Sequence, residues 1–142
     1  MKQHIIEFLK FLEKKENKRA PLRAKLLNPK DFKLSPEELN IERDLYLAET
    51  SIEFLPDNLT VNGHLWLEDT YIKSLPDNLT VEGALLLSNT PIESLPDNLK
   101  VGVHLYLDYT PLAKKYTEEQ IRSMIEEKGG YVKGKIFLEY YF

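Results

Sequence analysis

The sequence predicts an α/β repeat protein: a β-solenoid of about five coils with an N-terminal helical cap and, at the other end, a C-terminal helix plus a final strand. Three observations lead there. Leu55-Pro56-Asp57-Asn58-Leu59-Thr60 recurs as Leu75 to Thr80 and again as Leu95 to Lys100, a period of twenty residues. Within a period Leu59, Val61, Gly63, Leu65 and Leu67 strictly alternate with other residues, the period-two signature of a half-buried strand that no helical face fits. Stacking the periods also sets like on like: Ile41, Val61, Val81, Val101; Leu45, Leu65, Leu85, Leu105; Leu47, Leu67, Leu87, Leu107; Ile52, Ile72, Ile92, Leu112. A block holds about six aliphatics worth roughly 1.5–3 kcal/mol each when buried, against roughly 1–2 kcal/mol of backbone ordering for each of its residues. A single coil therefore cannot stand alone, and a stack of coils needs caps.

Residues 1–33 read as the N-terminal cap. Over 2–19, Ile5, Phe8, Leu9 and Leu12 share one helical face, and Lys14, Lys15, Lys18 and Arg19 follow near the end where cations suit the helix dipole. Pro21 stops that helix, and Leu22 to Leu27 has room for a further turn or two. Residues 34–116 are the coils. Their Leu-Pro-Asp-Asn step is a turn with a mechanism: Pro pre-sets φ, Asp bonds nearby backbone, and Asn tolerates the left-handed region. Gly63 and Gly83 share a column with Arg43 and Val103, so that position is expected to be extended, with glycine there for bend or clearance. Residues 117–142 form the last part, all three parts making one structural domain. Thr117-Glu118-Glu119-Gln120 is a capping box, Ile121, Met124 and Ile125 line one face, and Gly129-Gly130 end the helix. Val132 to Glu139 then matches Val61 to Glu68 at every patterned position, so the tail reads as a fifth coil in which helix 118–128 replaces the usual return segment.

The net charge of −4 is unevenly spread. Residues 1–33 carry ten Lys/Arg against four Asp/Glu, residues 34–110 three against fourteen, and residues 111–142 six against five. So acidic a middle argues against a duplex-binding groove, which needs cations for phosphates. There is no cysteine, which excludes disulfides, thiolate metal sites and cysteine nucleophiles. The apolar cluster Ile5 to Leu12 is broken by charge and far short of the ~20 residues of a membrane span. These features lead us to expect a cytoplasmic protein without a membrane partner.

The pattern Leu-x-Leu-x-x-Thr-x-Ile-x-x-Leu-Pro-Asp-Asn-Leu, over about residues 34–112, resembles the short, roughly 20-residue leucine-rich repeats of bacterial effectors and of small repeat proteins encoded by bacteria and their phages. The resemblance implies a leucine-rich-repeat-like solenoid whose strand face is a binding surface, and a role as a small effector or inhibitor of a target protein. In that family the column holding Thr50, Thr70, Thr90 and Thr110 is usually Asn, which bonds the backbone of the neighbouring coil. Threonine does so only in part, which leaves a horseshoe and a closed β-solenoid both open. The cysteine-dependent ubiquitin ligase activity of some family effectors does not carry over to a chain without cysteine.

The residues offer little chemistry. His64 and His104 share a column two coils apart, and a strand spacing of ~4.8 Å separates them by about 9–10 Å, too far for one zinc. Asp44 and His64 are placed to hydrogen-bond, but no nucleophile stands beside them. Glu68 and Asp108 have the look of a glycosidase pair, yet on so acidic a surface any such pair is a weak signal. Gly129-Gly130 lacks the strand–loop–helix order of a phosphate loop. We therefore assign no catalytic residue, no cofactor and no metal ligand.

What remains is the outward column between the core leucines: Tyr46, Trp66, Leu86, Tyr106 and Phe137. It is flanked by Asp44, His64, Ala84, His104 and Lys135 on one side and by Ala48, Glu68, Ser88, Asp108 and Glu139 on the other. Aromatics rimmed by charge resemble a protein-interface hot spot, although cross-strand aromatics also simply stiffen a sheet. The expected partner site is accordingly Tyr46, Trp66, Leu86, Tyr106 and Phe137 with His64, His104, Glu68 and Asp108, on a non-catalytic protein-binding module. The alternatives are a carbohydrate-active or carbohydrate-binding solenoid, and a nucleic-acid-associated protein using the basic head.

Overall fold

Each period contributes two short strands, not the single strand that its alternation suggests. The computed structural model describes Glu7 and residues 22–28 and 31–139. In it the run from Thr60 to Trp66 consists of β3 (Thr60–Val61), a bend at Asn62-Gly63-His64, and β4 (Leu65–Trp66). The same pair recurs as β1 (Asn40–Ile41) with β2 (Leu45–Tyr46), β5 (Thr80–Val81) with β6 (Leu85–Leu86), β7 (Lys100–Val101) with β8 (Leu105–Tyr106), and β9 (Tyr131–Val132) with β10 (Ile136–Phe137). The odd strands form one five-stranded parallel sheet in the order β1-β3-β5-β7-β9, and the even strands a second in the order β10-β8-β6-β4-β2. The architecture is a repeat β-solenoid.

The alternation misleads because it survives the corner. Val61, Leu65 and Leu67 all point inward, each fully buried, while the bend between them turns the chain from one sheet to the other. Side chains of one period cap the corner of the next: Asp44 Oδ1 accepts from the His64 backbone N–H at 2.7 Å. That is why glycine is needed at 63. A Cβ there would collide with Asp44 Oδ1 and lie 2.7 Å from the Asp44 backbone N. Gly63 and Gly83 do not have positive φ, so clearance is their role, as expected.

Register follows the period. Ile41 pairs with Val61, Val61 with Val81 and Val81 with Val101. Val101 then pairs with Val132, and Leu105 and Tyr106 with Ile136 and Phe137, the alignment that the match of Val132–Glu139 to the repeat requires. The Leu-Pro-Asp-Asn turns put Asn58, Asn78 and Asn98 at φ of 66°, 60° and 57°, the left-handed conformation that asparagine tolerates best after glycine. Their amides form a ladder, Asn98 Nδ2 donating to Asn78 Oδ1 and Asn78 Nδ2 to Asn58 Oδ1. A second left-handed column, Glu49, Asp69, Asn89 and Tyr109, carries no common residue type.

Thr50, Thr70, Thr90 and Thr110 donate their hydroxyls to the carbonyls of Leu47, Leu67, Leu87 and Leu107, three residues back in the same period. They do not reach a neighbouring coil as the family's asparagine would. Thr110 also accepts from Ala113 N–H and so caps α2 (Pro111–Lys115), a short helix that the twenty-residue pattern does not foresee. The expected longer helix follows as α3 (Glu118–Glu127), opened by the Thr117/Gln120 capping box, with Ile121 and Ile125 buried and Met124 half-buried. Its end stands where a return segment would: Lys128 carbonyl accepts from Asn98 N–H, continuing the ladder in which Asp97 carbonyl accepts from Asn78. Arg122 donates to the carbonyls of Val132 and Gly134, at 2.6 and 2.8 Å, and fixes the β9–β10 corner.

The chain divides into two compact units, Met1–Glu38 and Leu39–Phe142. Local contacts carry the first unit on to Glu38. Ser35 and Glu38 exchange side-chain to backbone hydrogen bonds, and Glu38 pairs at 2.9 Å with the buried ammonium of Lys25 in α1 (Leu22–Leu27). Burial pushes the Glu38 carboxyl up, but the Lys25 ammonium and the Ser35 N–H together hold it below the ordinary carboxylate value. The helix expected over 2–19 lies outside the described residues apart from Glu7, which is helical. Among the described residues no helix is long and apolar enough to cross a membrane.

Candidate recognition site on the strand face

Strands β2, β4, β6, β8 and β10 each send a first side chain inward and a second outward. The outward row is Tyr46, Trp66, Leu86, Tyr106 and Phe137, in register across the sheet. It is less open than expected. Tyr46 is 56% exposed, but the other four are half-buried against their neighbours. Tyr46 and Trp66 lie with ring centroids 5.8 Å apart, Tyr106 stacks on Phe137 at 4.8 Å and 20°, and Leu86 separates the two pairs. The continuous stripe is thus two aromatic pairs, each of which also stiffens the sheet.

His64 and His104 have structural work that the sequence does not reveal. His64 Nδ1 accepts from Ala84 N–H at 2.8 Å, and His104 Nδ1 accepts from Lys135 N–H at 2.9 Å. Each imidazole thereby caps the next period's corner as Asp44 caps that of His64. The Asp44–His64 contact runs through the His64 backbone, not its ring, so no Asp–His dyad forms. Both rings also meet the aromatic row edge-on, His64 against Trp66 and His104 against Tyr106 and Phe137.

The other flank holds the concave part of this face. Glu68, Leu86, Ser88, Tyr106, Asp108, Phe137 and Glu139 line an open groove of about 410 Å³. The structure so brings together Glu68, Asp108, Leu86, Tyr106 and Phe137 and leaves Tyr46, Trp66, His64 and His104 outside it. Ser88 and Glu139 join them, both from the flanking column that contains Glu68. Asp108 is 4% exposed, although the alternation suggests an outward, solvated carboxylate. Its Oδ1 accepts from Ser88 Oγ at 2.6 Å, while Oδ2 is buried with no hydrogen-bond partner among the described residues. Such a group is costly unless something compensates it.

Glu68 reports the same negative environment. Burial first, then the charges of Asp69, Asp108 and Glu49, push its carboxyl above the ordinary glutamate value. A raised carboxyl pKa contributes stability that is fully present below the unfolded value and is lost as pH rises through the folded one. Glu68→Gln is therefore expected to raise the melting temperature at neutral pH, with the gain shrinking toward acid, where wild-type Glu68 is itself protonated. Melting curves across that range check it; a variant destabilised at neutral pH would refute it. Among the described residues no group of three or more His, Cys, Asp or Glu is placed to hold a metal ion. Comparison of the chain with protein-family models, curated proteins and solved structures finds no match.

Proposed function

We propose that this protein is a non-catalytic recognition module, a leucine-rich-repeat-like solenoid of about five coils that binds a target protein on the face built by β2, β4, β6, β8 and β10. The observation that carries this reading is the row Tyr46, Trp66, Leu86, Tyr106 and Phe137, in register across five strands and bordered by the acidic groove. Amphipathic aromatics beside a desolvated polar cluster are what interface cores favour. The repeat pattern supports the further reading of a small bacterial or phage effector or inhibitor, working in the cytoplasm as the absence of cysteine suits.

The test separates binding from folding. Affinity capture on the full chain identifies a protein partner, and the Trp66→Ala/Tyr106→Ala double variant is then titrated against it. Truncating interface anchors costs about 2 kcal/mol or more, roughly thirtyfold in affinity. Loss of two surface ring contacts costs about 0.5–1.5 kcal/mol of stability each, so the variant stays folded. Unchanged affinity in the double variant would move the site off this face, and recovery of glycan or nucleic acid in place of a protein would replace the reading.

A further inference from the structure

Resting on the reading of the strand face as a recognition surface, we propose that the groove beside Asp108 receives a lysine or arginine side chain of the protein partner, its cation facing Glu68 and Asp108 and its alkyl stem lying along Leu86 and Phe137. Three observations converge on this chemistry. The first is an unmet acceptor. Asp108, 4% exposed, spends Oδ1 on Ser88 and leaves Oδ2 without a hydrogen-bond partner among the described residues. A buried carboxylate left in that state favours a cation that compensates its charge.

The second is charge. Glu68 and Glu139 line the same groove, and residues 34–110 carry only three Lys/Arg against fourteen Asp/Glu, none of the three being among the lining residues. Burial first, and then the charges of Asp69, Asp108 and Glu49, raise the Glu68 carboxyl, and among the described residues no lysine or arginine lines the groove to offset them. The third is shape. Leu86, Tyr106 and Phe137 form an apolar wall, and aromatic rings attract cations across their faces. A bare metal ion gains nothing from such a wall and finds no group of three or more donors among the described residues. A cation on a hydrocarbon stem uses both halves of the groove.

The isotope-labelled full chain is titrated by NMR with acetyl-Gly-Arg-Gly-amide, its lysine counterpart, and the citrulline peptide, a neutral isostere of arginine. The two cationic peptides are expected to shift the amides of Ser88, Asp108 and Phe137 saturably and in a salt-dependent way, and the citrulline peptide to leave them unmoved. Asp108→Asn, which retains an acceptor for Ser88, is expected to weaken the cationic peptides by roughly tenfold or more. If that variant does not fold, Glu68→Gln replaces it, with a several-fold loss of affinity expected in a chain that is not destabilised. Equal binding of citrulline, unchanged binding in these variants, or shifts produced by calcium chloride but by no peptide would each overturn the proposal. Trp66 and Tyr46 lie outside the groove. Shifts confined to them would sink the cation site and leave the strand-face reading standing, while a Tyr46→Ala/Trp66→Ala variant, which leaves every lining residue of the groove in place, tests that reading alone.

Discussion

A chain ending at Lys128 is expected to lose much of its thermal stability and to aggregate. The cut removes β9 and β10, which terminate both sheets. The N–H groups of Leu105 and Leu107 lose the carbonyls of Lys135 and Phe137, and the carbonyls of Leu99, Val101 and Val103 lose the N–H groups of Tyr131, Lys133 and Gly134. Two parallel edges are then open to other chains. Inside, buried Val132 and Ile136 no longer cover Val101 and Leu105, a loss of about 3–6 kcal/mol at roughly 1.5–3 kcal/mol for each side chain. Arg122 loses both carbonyls it bridges, so α3 loses one of its attachments to the stack. Calorimetry and size-exclusion chromatography check the result. A truncated chain that stays monomeric with an unchanged melting temperature would mean that residues 131–142 do not close the solenoid.

How far the structure could be read from the residues depends on what each feature repeats. The twenty-residue period specified the partners of the repeated core aliphatics up to Val101, and the match of Val132–Glu139 to the repeat specified that of Val101 with Val132, because a one-residue slip would turn Leu65 and Leu85 outward. The Asn58 column and the Thr117 capping box were legible because each uses the residue type its geometry demands. Three things were not. The corner at Asn62-Gly63-His64 hid because inward positions on either side of a bend still alternate. The left-handed column hid because Glu49 and Tyr109 are poor residues for φ near 60° and held there by the coils around them. Helix α2 starts at Thr110-Pro111, yet the same Thr-Pro pair at Thr90-Pro91 starts no helix, so the local signal does not discriminate. The site shows the same limit: alternation assigned the outward aromatics, but neither the burial of Asp108 nor the use of His64 and His104 as corner caps follows from which face a residue is on.

Leu85→Ala is expected to cost about 2–5 kcal/mol, and distinctly more than Leu45→Ala. Leu85 is fully buried in the central strand β6, between Leu65 and Leu105. Leu45, in the end strand β2, is 8% exposed and has a register partner in the sheet on one side only, Leu65. In a stack where each coil contacts only its neighbours, a central cavity weakens two interfaces and an end cavity one. Urea titration of both variants, read by far-ultraviolet circular dichroism, measures the difference. The slope is informative as well: if the central defect uncouples the two halves, the Leu85→Ala transition broadens, whereas Leu45→Ala shifts the midpoint at constant slope. Equal costs with equal slopes would show that the stack unfolds as one cooperative body in which position along the axis does not matter. The groove distinguishes these cases independently, since Leu86 lines it directly beside Leu85. A local opening at β6 would abolish cation binding at urea concentrations where most of the circular dichroism signal survives, and a single global transition would lose both together.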